Sequence, residues 1–174
     1  MPMKIQFSGC VKCRLPAHVA QGSKSEHPSG ALAIVTCFHG PVHAAKRCIC
    51  GASSLSADGE PASVLEEVES RDVAWLVRGT EPAAPRPTPM PGHRPRALTR
   101  PLVGERVSVE LPSGTVTATI IGVTGRDHDA DPQQEILLDR GFACGDSGSA
   151  VLNVDGEIVA VVRNTGGRCG FVNG

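Results

Sequence analysis

The chain has 174 residues, 40% of them hydrophobic but only 3% aromatic, with no Tyr and a single Trp, Trp75. That length suits one compact functional unit or two small ones sharing an interface, and the shortage of rings leaves a core of Val, Ile, Leu and Ala, as in small β-barrels. A net charge of −1 gives no long-range attraction to nucleic acid or to a membrane surface. Neither a long apolar run nor the apolar core of a signal peptide is found, so the expectation is a cytoplasmic or otherwise intracellular chain.

Short runs rich in β-branched residues recur between clusters of Gly, Pro and Asp, which reads as mostly β. In the first half, strands are expected at Lys4–Ser8, Cys10–Leu15, Ala31–Cys37, Lys46–Cys50, Ser63–Val68 and Asp72–Val77. In the second half they are expected at Arg106–Leu111, Thr115–Val123, Glu135–Leu138, Ser149–Asn153, Ile158–Arg163 and Gly170–Val172. Between the halves, Thr80 to Pro101 carries Pro82, Pro85, Pro87, Pro89, Pro91, Pro95 and Pro101. Proline has no N–H to give a sheet ladder, so this stretch reads as an extended spacer, with a proline-rich ligand for a partner domain as the sharper alternative. The expected division is a first unit at 1–79, a linker at 80–101 and a second unit at 102–174.

The chemistry points to Cys144-Gly145-Asp146-Ser147-Gly148-Ser149. Glycines on either side of Ser147 let the backbone fold so that the Gly145 and Ser147 N–H groups can aim at one spot, an oxyanion hole beside a hydroxyl nucleophile. The base must come from elsewhere. Ile34-Val35-Thr36-Cys37-Phe38-His39 is a strand running into a histidine as its apolar pattern ends, with His43 as a competitor four residues on. Asp72 heads the apolar run Val73-Ala74-Trp75-Leu76-Val77, where a carboxylate would be partly buried and in need of a partner such as an imidazole N–H.

Seven cysteines, an odd number with two close pairs, point to a reducing compartment or to metal binding more than to a disulfide framework. Cys10-Val11-Lys12-Cys13 and Cys48-Ile49-Cys50 place thiolates one or two residues apart, so the four sulfurs could close a tetrahedral structural zinc site, with disulfides or free thiols as the alternatives and His18 or His43 as substitute ligands. Cys144 and Cys169 either pair or stay free, and Cys37 is expected to be a small buried core residue.

His39, Asp72 and Ser147 occur in the order His, Asp, Ser, with the linker between the second and third. Through Val35-Thr36-Cys37-Phe38-His39, Asp72-Val73-Ala74, Gly145-Asp146-Ser147-Gly148 and the strand Gly156 to Val162, the chain from about Ser29 to Val172 resembles the chymotrypsin-like serine peptidases. The resemblance implies an all-β fold of two six-stranded antiparallel barrels with the active site in the cleft between them, and a serine endopeptidase acting on protein or peptide substrates without a catalytic cofactor. Asp72 would orient His39, His39 would take the proton of Ser147, and Gly145 and Ser147 N–H would hold the oxyanion. The short chain, the absent activation sequence and Ser149 after Gly148 look like the small serine proteases of positive-strand RNA viruses, some of which carry a structural zinc, or like short bacterial members.

By the same resemblance the substrate pocket would be lined by Gly141, Phe142, Val162 and Arg163. The absence of an acid at Gly141 argues against a preference for Lys or Arg, and Arg163 is either a solvent-facing strand-end residue or an attractor of acidic side chains. Two rival classes remain. One is a protease-fold module without activity, stabilised by zinc and serving binding or structure. The other is a nucleic-acid-binding zinc module, for which only Lys12, Arg14, Lys46 and Arg47 flank the cysteines, without interleaved aromatics.

Overall fold

A computed structural model describes residues 2–50, 55–79, 93–99, 101–124 and 135–172. In the first half, strands β1 (Met3–Phe7), β2 (His18–Glu26), β3 (Leu32–Cys37), β4 (Leu55–Ala57), β5 (Glu60–Val68) and β6 (Val73–Arg78) close into an antiparallel barrel in the order β1-β2-β3-β6-β5-β4. The second half repeats that order with β7 (Arg106–Leu111), β8 (Gly114–Thr124), β9 (Glu135–Leu138), β10 (Ala150–Leu152), β11 (Ile158–Val162) and β12 (Arg168–Phe171), as β7-β8-β9-β12-β11-β10. The fold is therefore all-β, with two six-stranded antiparallel barrels. Among the described residues the one α-helix is α1 (Pro41–Arg47), and no helix is long and apolar enough to cross a membrane.

Period-two alternation decides which side chains fill each barrel. Met3, Ile5 and Phe7 of β1 point inward while Lys4 is exposed. Met3, Ile5, Ile34, Ala74 and Leu76 help fill the first barrel, and Val107, Val109, Ile120, Ile136 and Val162 help fill the second. A third cluster belongs to neither barrel alone. Ala33, Val35, Val73 and Trp75 from the first half pack against Ala150, Leu152, Ile158, Val161 and Val172 from the second.

Two expectations in the first barrel are overturned. Cys10–Leu15 is not a strand but a tight turn whose base is held by reciprocal bonds, Cys10 N–H to Leu15 O and Leu15 N–H to Cys10 O, both 2.9 Å. Its Arg14 has φ 56°, a left-handed conformation that a ladder cannot accommodate. Lys46–Cys50 is the end of α1 and its exit, because Pro41 starts a helix and Cys48 N–H caps it by donating to Ala44 O and Ala45 O. The strands that take those places are β2 and β4. β2 went unrecognised because its buried residues are Ala20, Gln21, Gly22, Ser23 and Ser25, small or polar side chains that carry no hydrophobic signal. Gly22 suits this packing, since a Cβ there would sit 2.9–3.0 Å from Ile34 and Ile5 side-chain atoms and would push them aside.

Of the proline-rich linker, 80–92 lies outside the described residues. Its C-terminal end is no free spacer. Arg94 N–H donates to Lys24 O at 3.0 Å, and three residues on Ala97 N–H donates to Ile158 O while Pro95 O accepts from Ile158 N–H, both at 2.9 Å. Pro95 lacks an N–H but keeps its carbonyl, so a strap spaced by prolines still bridges β2 to β11.

Trp75 is 1% exposed in the cluster between the barrels and meets the His27 ring edge-on at 5.4 Å. Its truncation in Trp75→Ala is expected to lower unfolding free energy by about 3–5 kcal/mol, read from the urea midpoint of the purified variant against the parent.

Candidate active site

The His39–Asp72 pair follows from strand register. β3 and β6 are antiparallel with Cys37 opposite Val73, so the residues just beyond the paired ends, 38–39 and 72, face each other. Phe38 N–H donates to Asp72 O at 3.1 Å, one step past the ladder. Asp72 is buried, 5% exposed, and closes the 3-10 turn Glu69–Arg71 in a left-handed conformation at φ 55°, ψ 44°. Both of its carboxylate oxygens are used on one residue: Oδ1 accepts from His39 N–H at 2.7 Å and Oδ2 from His39 Nδ1–H at 2.5 Å. This fixes the ring and leaves Nε2 as the nitrogen open to exchange a proton.

Ser147 sits in a turn built by Ala143 to Ser149. Asp146 N–H donates to Ala143 O at 3.2 Å and Gly145 has φ 96°, while Cys144 is not among the residues of positive φ. A four-residue turn with positive φ only at its third position is of type II, which requires Gly there. The Asp146 carboxylate braces the turn by accepting from Ala143 N–H at 2.9 Å. Among the described residues, no protein acceptor is hydrogen-bonded to Gly145 N–H or Ser147 N–H. Those are the two donors an oxyanion would need.

The turn is pressed onto the first barrel. Gln21 N–H of β2 donates to Ser147 O at 2.7 Å, and Gln21 Nε2 donates to Gly145 O at 3.2 Å. Gln21 is thus a site-positioning residue that the sequence reading missed, hidden in the strand it failed to find. On the other side Gly148 N–H donates to Val162 O and Val162 N–H to Ser149 O. A Cβ on Gly148 would lie 2.0 Å from Gln21 O and 2.8 Å from Thr36 Oγ1, so only glycine fits.

His39 and Asp72 are brought into direct contact, and no hydrogen bond joins Ser147 to the imidazole among the described residues. Ser147 Oγ makes its hydrogen bond to the Arg163 carbonyl at 3.5 Å. Arg163 also reaches across the site, with Nε 3.7 Å from Asp72 Oδ2 and Nη1 on the buried Glu135. An open cleft of ≈ 540 Å³ is lined by Phe38, His39, His43, Glu69, Asp72, Arg163 and Asn164. His43 faces this cleft from α1, with its ring 5.3 Å from Phe38.

The pocket expectations divide. The segment at Gly141 and Phe142 runs beside 163–165, with Phe142 N–H donating to Thr165 O at 3.0 Å. Val162 is fully buried in the second-barrel core, so its side chain faces the barrel interior and not the cleft. Arg163 is neither a solvent-facing strand-end residue nor free for an acidic substrate side chain, because two carboxylates hold its guanidinium.

The sequence finds no counterpart among family models or curated proteins. Solved structures match it throughout. Deg5 superposes with a TM-score of 0.66 at 15% identity, over 97% of this chain and 83% of that one. The active form of the Rv3671c protease from M. tuberculosis gives 0.61 at 18%, over 98% and 75%. The serine endoprotease from Yersinia pestis gives 0.58 at 15%, over 97% and 58%. The fold is that of the chymotrypsin-like serine proteases. The viral subgroup expected from the sequence gains no support from these matches.

Within this protease fold, no disulfide joins any of the cysteines. Cys37 is buried as expected and donates to His39 O at 3.4 Å. Cys169 is buried in the second barrel, where burial pushes its thiol pKa to about 12, whereas Cys144 is exposed on the Ser147 turn. Cys10, Cys13, Cys48 and Cys50 form a separate cluster whose sulfurs all lie within 4.8 Å of one another, a set that could hold a metal ion such as zinc. His18 and His43 are not part of that set.

The hydrogen bond from His39 Nδ1–H to Asp72, aided by Cys37 and opposed by burial, raises the His39 pKa from 6.5 to about 10. The sign follows from linkage: the stabilisation is complete below 6.5, where the ring is charged in both states, and disappears as pH rises through about 10. Ring-proton NMR of the folded protein should show His39 titrating near 10 in the parent and back toward 6.5 in Asp72→Asn.

Gly148→Ala should cost both folding yield and any Ser147 reactivity, because the turn cannot dock on Gln21 O. Circular dichroism and labelling of the same sample will read the two effects.

Proposed function

We propose that the chain is a serine endopeptidase in which His39, Asp72 and Ser147 form the catalytic triad. The observation that carries this reading is the buried Asp72 gripping His39 through both its backbone and Nδ1, beside a serine turn that leaves the Gly145 and Ser147 N–H groups undonated. Ser147 Oγ attacks the scissile carbonyl carbon, its proton passes to His39 Nε2, and the carbonyl oxygen, now anionic, lies against the Gly145 and Ser147 N–H groups. His39 then protonates the leaving amine, and water hydrolyses the acyl-enzyme by the same path in reverse. Asp72 keeps Nε2 facing the serine and stabilises the imidazolium. For the first step Ser147 must rotate about χ1, away from the Arg163 carbonyl it now contacts and toward His39. Catalytic contacts of this kind commonly tighten only when substrate is bound. The cleft beside His39 and the neighbouring 141–142 segment would seat a peptide, with no nucleic acid or membrane required.

One observation favours a second reading, a protease-fold module without activity: Ser147 Oγ is engaged by a main-chain carbonyl and not by the imidazole. The two readings separate on a fluorophosphonate probe, which reacts with a serine only when its hydroxyl is activated. Wild-type protein is expected to label, Ser147→Ala and His39→Ala to fail, and Asp72→Asn to label on the order of 10⁴-fold more slowly. The labelling rate should climb with pH toward the alkaline His39 pKa of about 10, since only the neutral ring accepts a proton. Folded wild-type protein that never labels would transfer the conclusion to the inactive module.

A further inference from the structure

The four-thiol cluster lies outside the cleft and takes no part in acyl transfer, yet it is built from the two ends of the chain segments that frame the catalytic base. Cys10 and Cys13 stand on the tight turn that follows β1, with Arg14 N–H donating to Val11 O at 3.2 Å and Gly9 at φ 88° entering it. Cys48 caps α1, and Cys50 follows two residues later. Cys10 Sγ is 3.3 Å from Cys50 Sγ, Cys48 Sγ is 3.4 Å from Cys50 Sγ, and Cys48 Sγ is 3.8 Å from Cys13 Sγ. A tetrahedron of thiolates on Zn²⁺, with Zn–S near 2.3 Å, has edges of about 3.8 Å. Three measured separations fall at or slightly inside that edge, and a pairwise disulfide would instead draw two sulfurs together and leave the other two behind.

Nothing apolar accounts for the gathering. Val11 and Ile49, the residues between the ligand pairs, are 96% and 91% exposed, so the turns are not drawn together by burial. An S₄ donor set selects zinc or iron among common metals, and a fully ligated zinc site has no open position for chemistry. Exposed Lys12, Arg14 and Arg47 close to the ligands in sequence would offset the net negative charge of four thiolates on a dication.

The position of the cluster gives it a consequence for the site. His39 is followed by Gly40 and then directly by α1, whose far end is Cys48. Seven residues are far too few for a helix to stand alone in water. This one has no side-chain N-cap and no acidic residue in its first turn. Its remaining anchors are the buried Pro41, Val42 and Ala44, and Lys46, which pairs with Glu67 and with Glu69 at 3.1 Å. We propose that Zn²⁺ bound by Cys10, Cys13, Cys48 and Cys50 pins the end of α1 to the end of β1, and thereby holds the loop that carries His39 in its catalytic position. Resting on the peptidase reading above, this makes the enzyme dependent on a metal that never meets substrate. Binding releases thiol protons to solvent and requires the reduced thiols.

The test begins with the whole chain as purified. Elemental analysis should give one zinc per chain. Cobalt exchanged into the site should give thiolate-to-metal charge-transfer bands and the intense visible bands of a tetrahedral ion, and Cys13→Ser and Cys48→Ser should lower the metal content. Stripping the zinc with an organomercurial and a chelator should slow fluorophosphonate labelling on the order of a hundredfold, the penalty of a base displaced by about an ångström, and one equivalent of zinc should restore it. Hydrogen exchange on the stripped protein should quicken within 10–15 and 41–50 while amides of the second barrel stay protected. Absence of bound metal, or iron in place of zinc, overturns the assignment. Unchanged labelling after stripping, or unfolding of both barrels together, overturns the link to His39. If holo protein binds cobalt with the expected spectrum yet never labels, the peptidase reading fails while the metal site stands.

Discussion

Everything in the candidate site depends on how closely the second barrel can approach the first at one point. Gly148 meets the carbonyl of Gln21 so tightly that a Cβ would come within 2.0 Å of it. That contact sets the height of the serine turn above β2, and the bond from Gln21 N–H to Ser147 O fixes its rotation. A second close approach lies at Gly170, where a Cβ would stand 1.8 Å from Arg71 O, immediately before Asp72. The two glycines bracket the candidate site, one beside Ser147 and one behind Asp72. Apolar burial between Trp75, Val35, Val161 and Ile158 supplies the adhesion, but these two backbone contacts set the gap.

Much of this could be read from residues alone, and the reasons are local. β3 and β6 are nearly continuous runs of β-branched and apolar residues, buried on both faces, so the strands that deliver His39 and Asp72 were legible, and the register that joins them follows from where those strands stop. The glycines of the serine turn were legible because positive φ is a requirement that few other residues meet. β2 was not, since a strand that buries Ala20, Gln21, Gly22, Ser23 and Ser25 is held in place by what its neighbours bring to it. Gln21 was lost with it. The first-barrel cysteines were misplaced for another reason: they stand on a tight turn and at a helix end, and local propensity does not see sulfurs gathered from residues 35 and 40 apart.

Arg163 shows how one residue can serve several masters. Its carbonyl accepts from Ser147, its Nε stands 3.7 Å from the carboxylate that holds His39, and its Nη1 is bound to Glu135, itself 5% exposed. A guanidinium so close to Asp72 draws on the same carboxylate charge that the imidazole uses, and Glu135 moderates that pull by sharing the cation. Position 163 could be assigned to a pocket wall by sequence position alone. Its placement on Asp72 follows instead from strand alternation, which sends Val162 inward and Arg163 toward the seam.

The seam has a consequence for how far such a chain can drift. At both tight points the opposing atom is a main-chain carbonyl, at Gln21 and at Arg71, which every amino acid carries. The carbonyl contacts themselves do not depend on which side chain stands at 21 or 71, provided the glycines opposite them stay, although the Gln21 amide still adds its bond to Gly145 O. A joint defined by backbone against backbone leaves most of the surrounding sequence free to change over evolutionary time. The fold can then be shared at a TM-score of 0.66 with only 15% identity to Deg5, with little of the likeness in the letters and most of it in the spacing of two barrels.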